Sequence, residues 1–245
     1  MAIYKGLEAT LHEAFWGDRG SDLEFNELQR LMPDFQGKVL EVGAGSGRIL
    51  KPLMDAGWNI TGIEPSEEMC AMCQERGFGD AVQCTTLEDF DTEEKYDLIL
   101  LTSFVLQLLP EPEEIFPKLK SLLKEGGRIY FSCFIPWAEI VGELVEGEWS
   151  LDDEVTLKDR RKARCWVNFE VNRIGQELKR QHRYEILERK KAVQVTKTEQ
   201  LIRWFTLPQL RLLFEKLGCK EQSVSYDFKP EFDSDAHILG FVLTV

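Results

Sequence analysis

The spacing of apolar residues changes once along this chain, and the change divides it. Between residues 38 and 134 short apolar runs alternate with stretches of helical period. Residues 39–42 read as a strand, 49–55 as a helix closed by Gly57, and 59–63 as a second strand ending at Glu64. Pro65 and Ser66 open another helix, where Glu67 and Glu68 suit an N-terminus. Residues 81–84 form a weak third strand. Residues 96–101 form a fourth, nearly all apolar, as a central parallel strand buried on both faces requires. A helix at 115–123 stops at Glu125-Gly126-Gly127, ahead of a fifth strand at 128–134. Strand and helix alternating with short connections predict a doubly wound, mostly parallel α/β sheet.

After Pro136 the period falls to two. Residues 163–171, 177–187 and 192–205 alternate apolar with polar positions and predict antiparallel strands, with a turn at Gly175 and a polar connection at Arg189-Lys190-Lys191. The acidic, glycine-containing stretch 137–159 reads as an irregular or short helical lid. A helix at 208–217, ended by Gly218, and strands at 221–228 and 237–245 follow. Ahead of everything, Leu7, Leu11, Phe15, Leu23, Leu28 and Leu31 sit at roughly helical spacing, interrupted by Gly17, Gly20 and Pro33. The expected organisation is therefore a helical lead-in (1–36), a core (37–136), an antiparallel insertion over the substrate (137–206) and a C-terminal helix with two strands that complete the core sheet (207–245).

Composition narrows this further. A chain of 245 residues with 43% hydrophobic content can bury an ordinary core. No basic segment followed by an apolar one opens it, and the longest apolar run, 98–109, is broken by Thr102, Ser103 and Gln107. These features place the protein in the cytoplasm, with no membrane role. Six scattered cysteines, of which only Cys70 and Cys73 are close, read as reduced thiols, and no metal site is expected. The net charge of −13 argues against a phosphate backbone as partner. Residues 158–191 nevertheless hold twelve Lys/Arg against five Asp/Glu, which reads either as solvated strand faces or as a surface for an anionic ligand.

The candidate chemistry lies in LEVGAGSGR, residues 40–48, where the first strand turns into the first helix. A dinucleotide site would show G-x-G-x-x-G, its last glycine letting the helix pack close while its N-terminus faces a pyrophosphate. Here the glycines are Gly43, Gly45 and Gly47, and Arg48 takes the place that pattern reserves for the third. Glu41, two residues earlier, would repel a pyrophosphate and favour an ammonium. Glu64, at the end of the second strand, suits the vicinal hydroxyls of a ribose.

Together these residues resemble the class I S-adenosylmethionine-dependent methyltransferases. LEVGAGSGR is similar to that family's first motif, TGIEPSEEM to its ribose-binding strand and loop, YDLILLTSFVLQLL to its fourth strand and the following loop, and KEGGRIYFSCF to its fifth strand. RWFTLPQLRLLFEKLGC is similar to the approach to its last helix. The resemblance implies a seven-stranded sheet with the last strand antiparallel. It also implies that Glu41, Gly43, Gly45 and Gly47 meet the methionine end and that Glu64 holds the ribose. Pro65 or Met69 would flank the adenine, Thr85, Thr86 and Leu87 would meet its edge, and Thr102 and Ser103 would lie under the cofactor with Gln107 near the transferable methyl. The family often has Asp where Thr85 stands.

Methyl transfer needs alignment above all, and a base only where the acceptor must lose a proton, so the lack of a catalytic triad is no obstacle. Thr102-Ser103-Phe104-Val105 replaces the Asn-Pro-Pro-Tyr type loop of nucleobase amine methyltransferases. His12, His182 and His237 read as structural, although a general base among them stays open. Tyr4, Phe15 and Trp16 read as core or as ring faces for a cationic ligand, and Trp137, Trp149, Trp166 and Trp204 as a small core or as a pocket wall. The expected function is methylation of a small-molecule acceptor, with the basic stretch suiting an anionic one. The alternatives are an RNA or protein methyltransferase using residues 158–191, or a non-catalytic S-adenosylmethionine-binding protein. The acceptor, the methylated atom and the oligomeric state are left open.

Overall fold

The computed structural model describes residues 3–17, 21–189 and 191–245. They fall into two compact units, one made of residues 21–135 with 205–245 and the other of 3–17 with 136–204. Gly20 and Lys190, singled out above as a helix breaker and as part of a connection, lie outside the described residues.

The first unit is built on a seven-stranded sheet. Its strands are β1 (Lys38–Val42), β2 (Asn59–Glu64), β3 (Val82–Cys84), β4 (Tyr96–Leu101), β5 (Leu123–Phe134), β10 (Lys220–Tyr226) and β11 (Ile238–Thr244). They lie in the order β10-β11-β5-β4-β1-β2-β3. All neighbours pair in parallel except β11, which runs antiparallel to both β5 and β10. The expected sheet class is thus observed, and the strand order reverses at β1 and β4, where such sheets open a crevice beyond their carboxyl ends. The helices are α3 (Ser21–Leu31), α4 (Leu50–Asp55), α5 (Glu67–Glu75), α6 (Pro112–Leu122) and α8 (Leu207–Lys216). One core cluster joins Leu28 and Met32 to Val39, Leu50, Leu53, Ile60, Leu98, Leu100 and Tyr130, so α3 and α4 seal the sheet around the first turn.

Three local readings change. The helix after β2 starts one residue beyond the predicted place, because the Ser66 hydroxyl accepts from the Met69 N–H at 3.2 Å and is the N-cap, with Pro65 before it. The Gly126-Gly127 stop is a bulge inside β5, whose pairing slips between Tyr96↔Leu123 and Leu98↔Arg128. On α3 the buried face carries Glu24, Glu27 and Leu28, while Leu23, expected inside, is 57% exposed.

The second unit is a four-stranded antiparallel sheet, β6 (Ser150–Thr156), β7 (Lys162–Asn172), β8 (Glu177–Glu188) and β9 (Lys191–Arg203), in sequential order. β6 lies in the stretch read as irregular; consecutive acids, Asp152, Asp153 and Glu154, leave it without an alternating pattern, and its residues are exposed or half-buried. Three short helices complete the unit: α1 (Leu7–Thr10), α2 (His12–Trp16) and α7 (Trp137–Val141). Leu7, Leu11 and Phe15 pack with Ala163, Cys165, Tyr184 and Ile186. The lead-in expected as one segment therefore divides, its first helices joining this unit and α3 the other. No helix of the described residues is long and apolar enough to cross a membrane.

Candidate functional site

At the carboxyl end of β1 the chain meets a carboxylate and then a turn. Glu41 is 1% exposed. Its Oε1 accepts a hydrogen bond of 2.6 Å from the Thr102 hydroxyl just beyond β4, and its Oε2 is buried with no partner. Parallel pairing of β1 with β4 brings these two residues together across 61 positions of sequence. Burial pushes the Glu41 carboxyl up to about 8; the Thr102 hydrogen bond and the Leu50 backbone N–H work against this, and the carboxylates of Glu24 and Glu64 push in the same direction as burial. Glu41 is thus a buried acid with an unused oxygen in a negative field. A cationic group is the partner that such an oxygen lacks.

The turn that follows is anchored on the neighbouring strand, since the Gly43 and Ala44 amides both donate to the Ile63 carbonyl. Gly45 and Gly47 take positive φ for different reasons. A Cβ on Gly47 would lie 2.4 Å from the Phe78 ring, so that glycine serves packing. A Cβ on Gly45 would meet nothing within 4 Å, so there the backbone is bared toward open space. The Gly45 N–H donates to Glu64 Oε2 at 2.9 Å, and the Ser66 N–H donates to Glu64 Oε1 at 2.9 Å. Glu64, on β2, therefore ties the turn to the start of α5. Burial raises its carboxyl, and the two amides oppose that. Each oxygen keeps a lone pair for a further donor.

The other predicted residues divide. β2–β3 pairing sets Glu64 beside Cys84, so Thr85, Thr86 and Leu87 follow directly next to Glu64, and the Thr85 N–H donates to the Glu64 carbonyl at 3.0 Å. The Thr86 hydroxyl is 2.9 Å from Asp89 and accepts from its N–H, closing a local turn. Leu87 and Met69 are buried, and Pro65 is half-buried at the head of α5. Ser103 stands in the turn after β4. Gln107 is buried with its amide committed to the backbone: Nε2 donates to the Phe134 carbonyl at 3.0 Å and Oε1 accepts from the Phe134 N–H at 2.7 Å.

Pattern reading missed two acids that the fold brings here. Glu24 Oε2, on α3, accepts from the Ser103 N–H at 2.9 Å, and its Oε1 lies 3.2 Å from the Tyr130 hydroxyl. That hydroxyl donates to Glu27 Oε2 at 2.7 Å. Burial pushes Glu24 up to about 7 and raises Glu27 as well. The available signal was that Glu24 and Glu27 share a helical stripe with Leu28 and Leu31, a stripe that excludes Leu23.

The remaining candidates are placed among other side chains. His12 meets Tyr4 edge-on at 5.5 Å, and Phe15 packs against Tyr184. His182 is buried, stacks on Tyr184, and is driven down to about 4 by desolvation and then by Arg180. The His237 N–H donates to Asp227. Trp204 is buried, whereas Trp149 and Trp166 lie against the Arg183 guanidinium at 5.2 and 4.7 Å. Among the described residues no cluster of His, Cys, Asp and Glu could hold a metal ion, and all six cysteines are free thiols.

Comparison with known proteins places this geometry. Residues 40–131 match the model of a methyltransferase domain. The ubiquinone biosynthesis O-methyltransferase of Actinobacillus pleuropneumoniae is 35% identical over 137 residues, which cover 48% of this chain and 58% of that protein. The enzyme of the same description from Pseudomonas savastanoi is 30% identical over 143 residues, covering 51% and 60%. The matched region thus spans somewhat more than half the length of these relatives. In fold, the chain is similar to the CcbJ methyltransferase of Streptomyces caelestis (TM-score 0.75, 22% identity, 96% and 94% of the two chains). It is also similar to the sugar N-methyltransferase KedS8 of Streptoalloteichus (TM-score 0.71, 15% identity, 99% and 94%).

Proposed function

We propose that this chain, whose residues 40–131 match the model of a methyltransferase domain and whose fold is similar to that of solved methyltransferases, is an enzyme that moves a methyl group from S-adenosylmethionine to a small-molecule acceptor. The observation that carries the reading is the buried, unpartnered Glu41 Oε2 beside Gly45, at whose Cβ position nothing stands within 4 Å. A carboxylate there matches a cofactor whose near end is an ammonium and opposes one whose near end is a pyrophosphate.

When bound, S-adenosylmethionine supplies a methyl on a sulfonium, already activated for displacement. The chain's own part is to bind and orient. Glu41 receives the ammonium with Oε2 while Thr102 holds Oε1. Gly45 bares the turn to the methionine end, and Gly43 and Gly47 hold that turn in place by close packing against Val105 and Phe78. Glu64, steadied by the Gly45 and Ser66 amides, accepts from the ribose hydroxyls. Pro65, Met69, Thr85, Thr86 and Leu87 border the adenine. Ser103 lies at the methionine end beside Thr102. Gln107, fastened to Phe134, shapes the wall near the methyl. Catalysis is then mainly a matter of alignment.

The acceptor is read as a small molecule, as the names of the ubiquinone and sugar methyltransferases suggest for those proteins. The basic stretch supports this over RNA, because five of its twelve basic side chains meet carboxylates drawn from beyond it: Lys162 and Arg164 pair with Glu154, Arg173 with Glu146, Lys179 with Glu199 and Arg180 with Glu139. A strip so paired offers little to a polyanion. Calorimetry tests the cofactor: S-adenosylmethionine or its demethylated product should bind, and binding of NAD in their place would overturn the assignment. Retention on RNA at low salt, lost steeply as ionic strength rises, would favour the nucleic-acid reading.

A further inference from the structure

Glu24 stands on a helix outside the sheet, yet it reaches the turn that follows β4. At that turn Ser103 and Phe104 take φ values of 51° and 67°, both left-handed and neither glycine. Such a pair persists only where surrounding contacts over-determine it. Three contacts do so. Glu24 accepts from the Ser103 N–H, and from its hydroxyl at 3.4 Å. The Phe104 N–H donates to the Ser132 hydroxyl at 3.4 Å. Gln107 is fastened to Phe134 by both amide atoms. Only the first comes from outside the sheet and its loops, and a leucine on α3 could fill the same space without satisfying the Ser103 N–H. The preceding residue, Thr102, is the one that holds Glu41.

We propose that Glu24 is a positioning residue for the cofactor: from α3 it fixes the Ser103–Phe104 turn, and through Thr102 sets the Glu41 carboxylate in the place and field that receive a cationic group. The proposal rests on the reading of this cleft as an S-adenosylmethionine site. Its electrostatic part is specific. Glu41 is faced by Thr102 just beyond β4, the Leu50 backbone from α4, Glu24 from α3 and Glu64 from β2, and the two acids both hinder its ionisation. Glu24 in turn is faced by Ser103, by Ser132 and Tyr130 from β5, and by Glu27. A bound ammonium favours the ionised form of Glu41, so binding at neutral pH should release a proton from it, and the Glu24 charge helps to decide how much.

Glu24→Gln separates anchoring from charge. The amide oxygen still accepts from the Ser103 N–H, while the amide N–H can donate to the Tyr130 oxygen, whose own proton goes to Glu27. Glu24→Ala removes both functions. Titration of the whole chain with S-adenosylhomocysteine by calorimetry, in two buffers of different ionisation enthalpy, gives affinity and proton count together. Affinity should fall roughly tenfold or more in Glu24→Ala, as expected for losing a hydrogen bond to a charged group that anchors the turn, and stay within about threefold of the parent in Glu24→Gln, with fewer protons released in both. If Glu24→Ala fails to fold, the Glu24→Gln proton count decides alone. A proton count equal to that of the parent chain, or a Glu24→Ala affinity equal to it, overturns the proposal. A parent chain that binds no S-adenosylhomocysteine overturns the cofactor reading instead.

Discussion

The Thr102 hydroxyl donates to Glu41 Oε1 across 2.6 Å, inside the protein, while the other oxygen of the same carboxyl has no partner. One half of the group is thus held in place and the other half is left available. Burial first, and then the neighbouring acids, raise this carboxyl to about 8, so without a cationic partner its neutral form is favoured at neutral pH.

Cofactor affinity should therefore depend on pH. An ammonium binds the ionised carboxylate, so affinity for S-adenosylhomocysteine rises from pH 6 towards the value of about 8 at which Glu41 ionises by itself. In Glu41→Gln the affinity is weaker and flat over this range. Calorimetry across the range checks it, and parallel curves for the two proteins would detach the dependence from Glu41.

Stability without ligand should run the other way. Glu41 and Glu24 are raised from an ordinary 4.5 to about 8 and about 7, so the folded chain keeps protons that the unfolded chain has lost. Their contribution is complete below 4.5 and declines as pH climbs to the folded values. His182, lowered from 6.5 to about 4, acts oppositely, but only below 6.5. Between pH 6.5 and 8 the melting temperature should fall, and less in Glu41→Gln. A melting curve insensitive to pH in that interval would contradict the buried-acid description.

The two glycines of the turn should fail differently. Gly47→Ala sets a methyl 2.4 Å from Phe78 at φ +81° and should lose about 2–4 kcal/mol of stability. Gly45→Ala at φ +56° meets no neighbour and should lose only about 1–2 kcal/mol. Its methyl, however, enters the space assigned to the cofactor. Urea denaturation with calorimetry separates them: Gly45→Ala should keep its fold and lose ligand affinity disproportionately.

Gln107 offers a contrast of another kind. Removing its amide in Gln107→Ala deletes both side-chain hydrogen bonds to the half-buried Phe134 backbone, at a cost of about 1–3 kcal/mol for the pair. A loss of stability on denaturation is the expected signature. Reduced turnover with unchanged stability would instead assign Gln107 to direct contact with the reacting groups.

The core sheet and much of the cleft were legible in the chain because their signals are local. A buried parallel strand must be apolar along its length, as 96–101 is, and a turn with bared amides must contain glycine. Glu41 and Glu64 sit at strand ends, where side chains beyond the sheet edge belong to the crevice. The strand β6 was obscured because consecutive acids break the alternation that exposes a strand. On α3, apolar spacing pointed to Leu23 when acids occupied the inward stripe.

The sequence by itself determined the strand, turn and helix grammar of residues 38–134, the negative charge in the glycine turn and the spacing that sets it apart from a pyrophosphate site. Only the tertiary structure decided which acids are buried together, that Gln107 is bound to Phe134, and that basic strand residues meet carboxylates from elsewhere. The physical reason is distance along the chain. Ser103 and Glu24 are 79 positions apart, and no periodicity or propensity carries across such an interval. Their contact exists because the order of the strands, and the packing of α3 beside them, leaves the Ser103 amide facing one buried carboxylate.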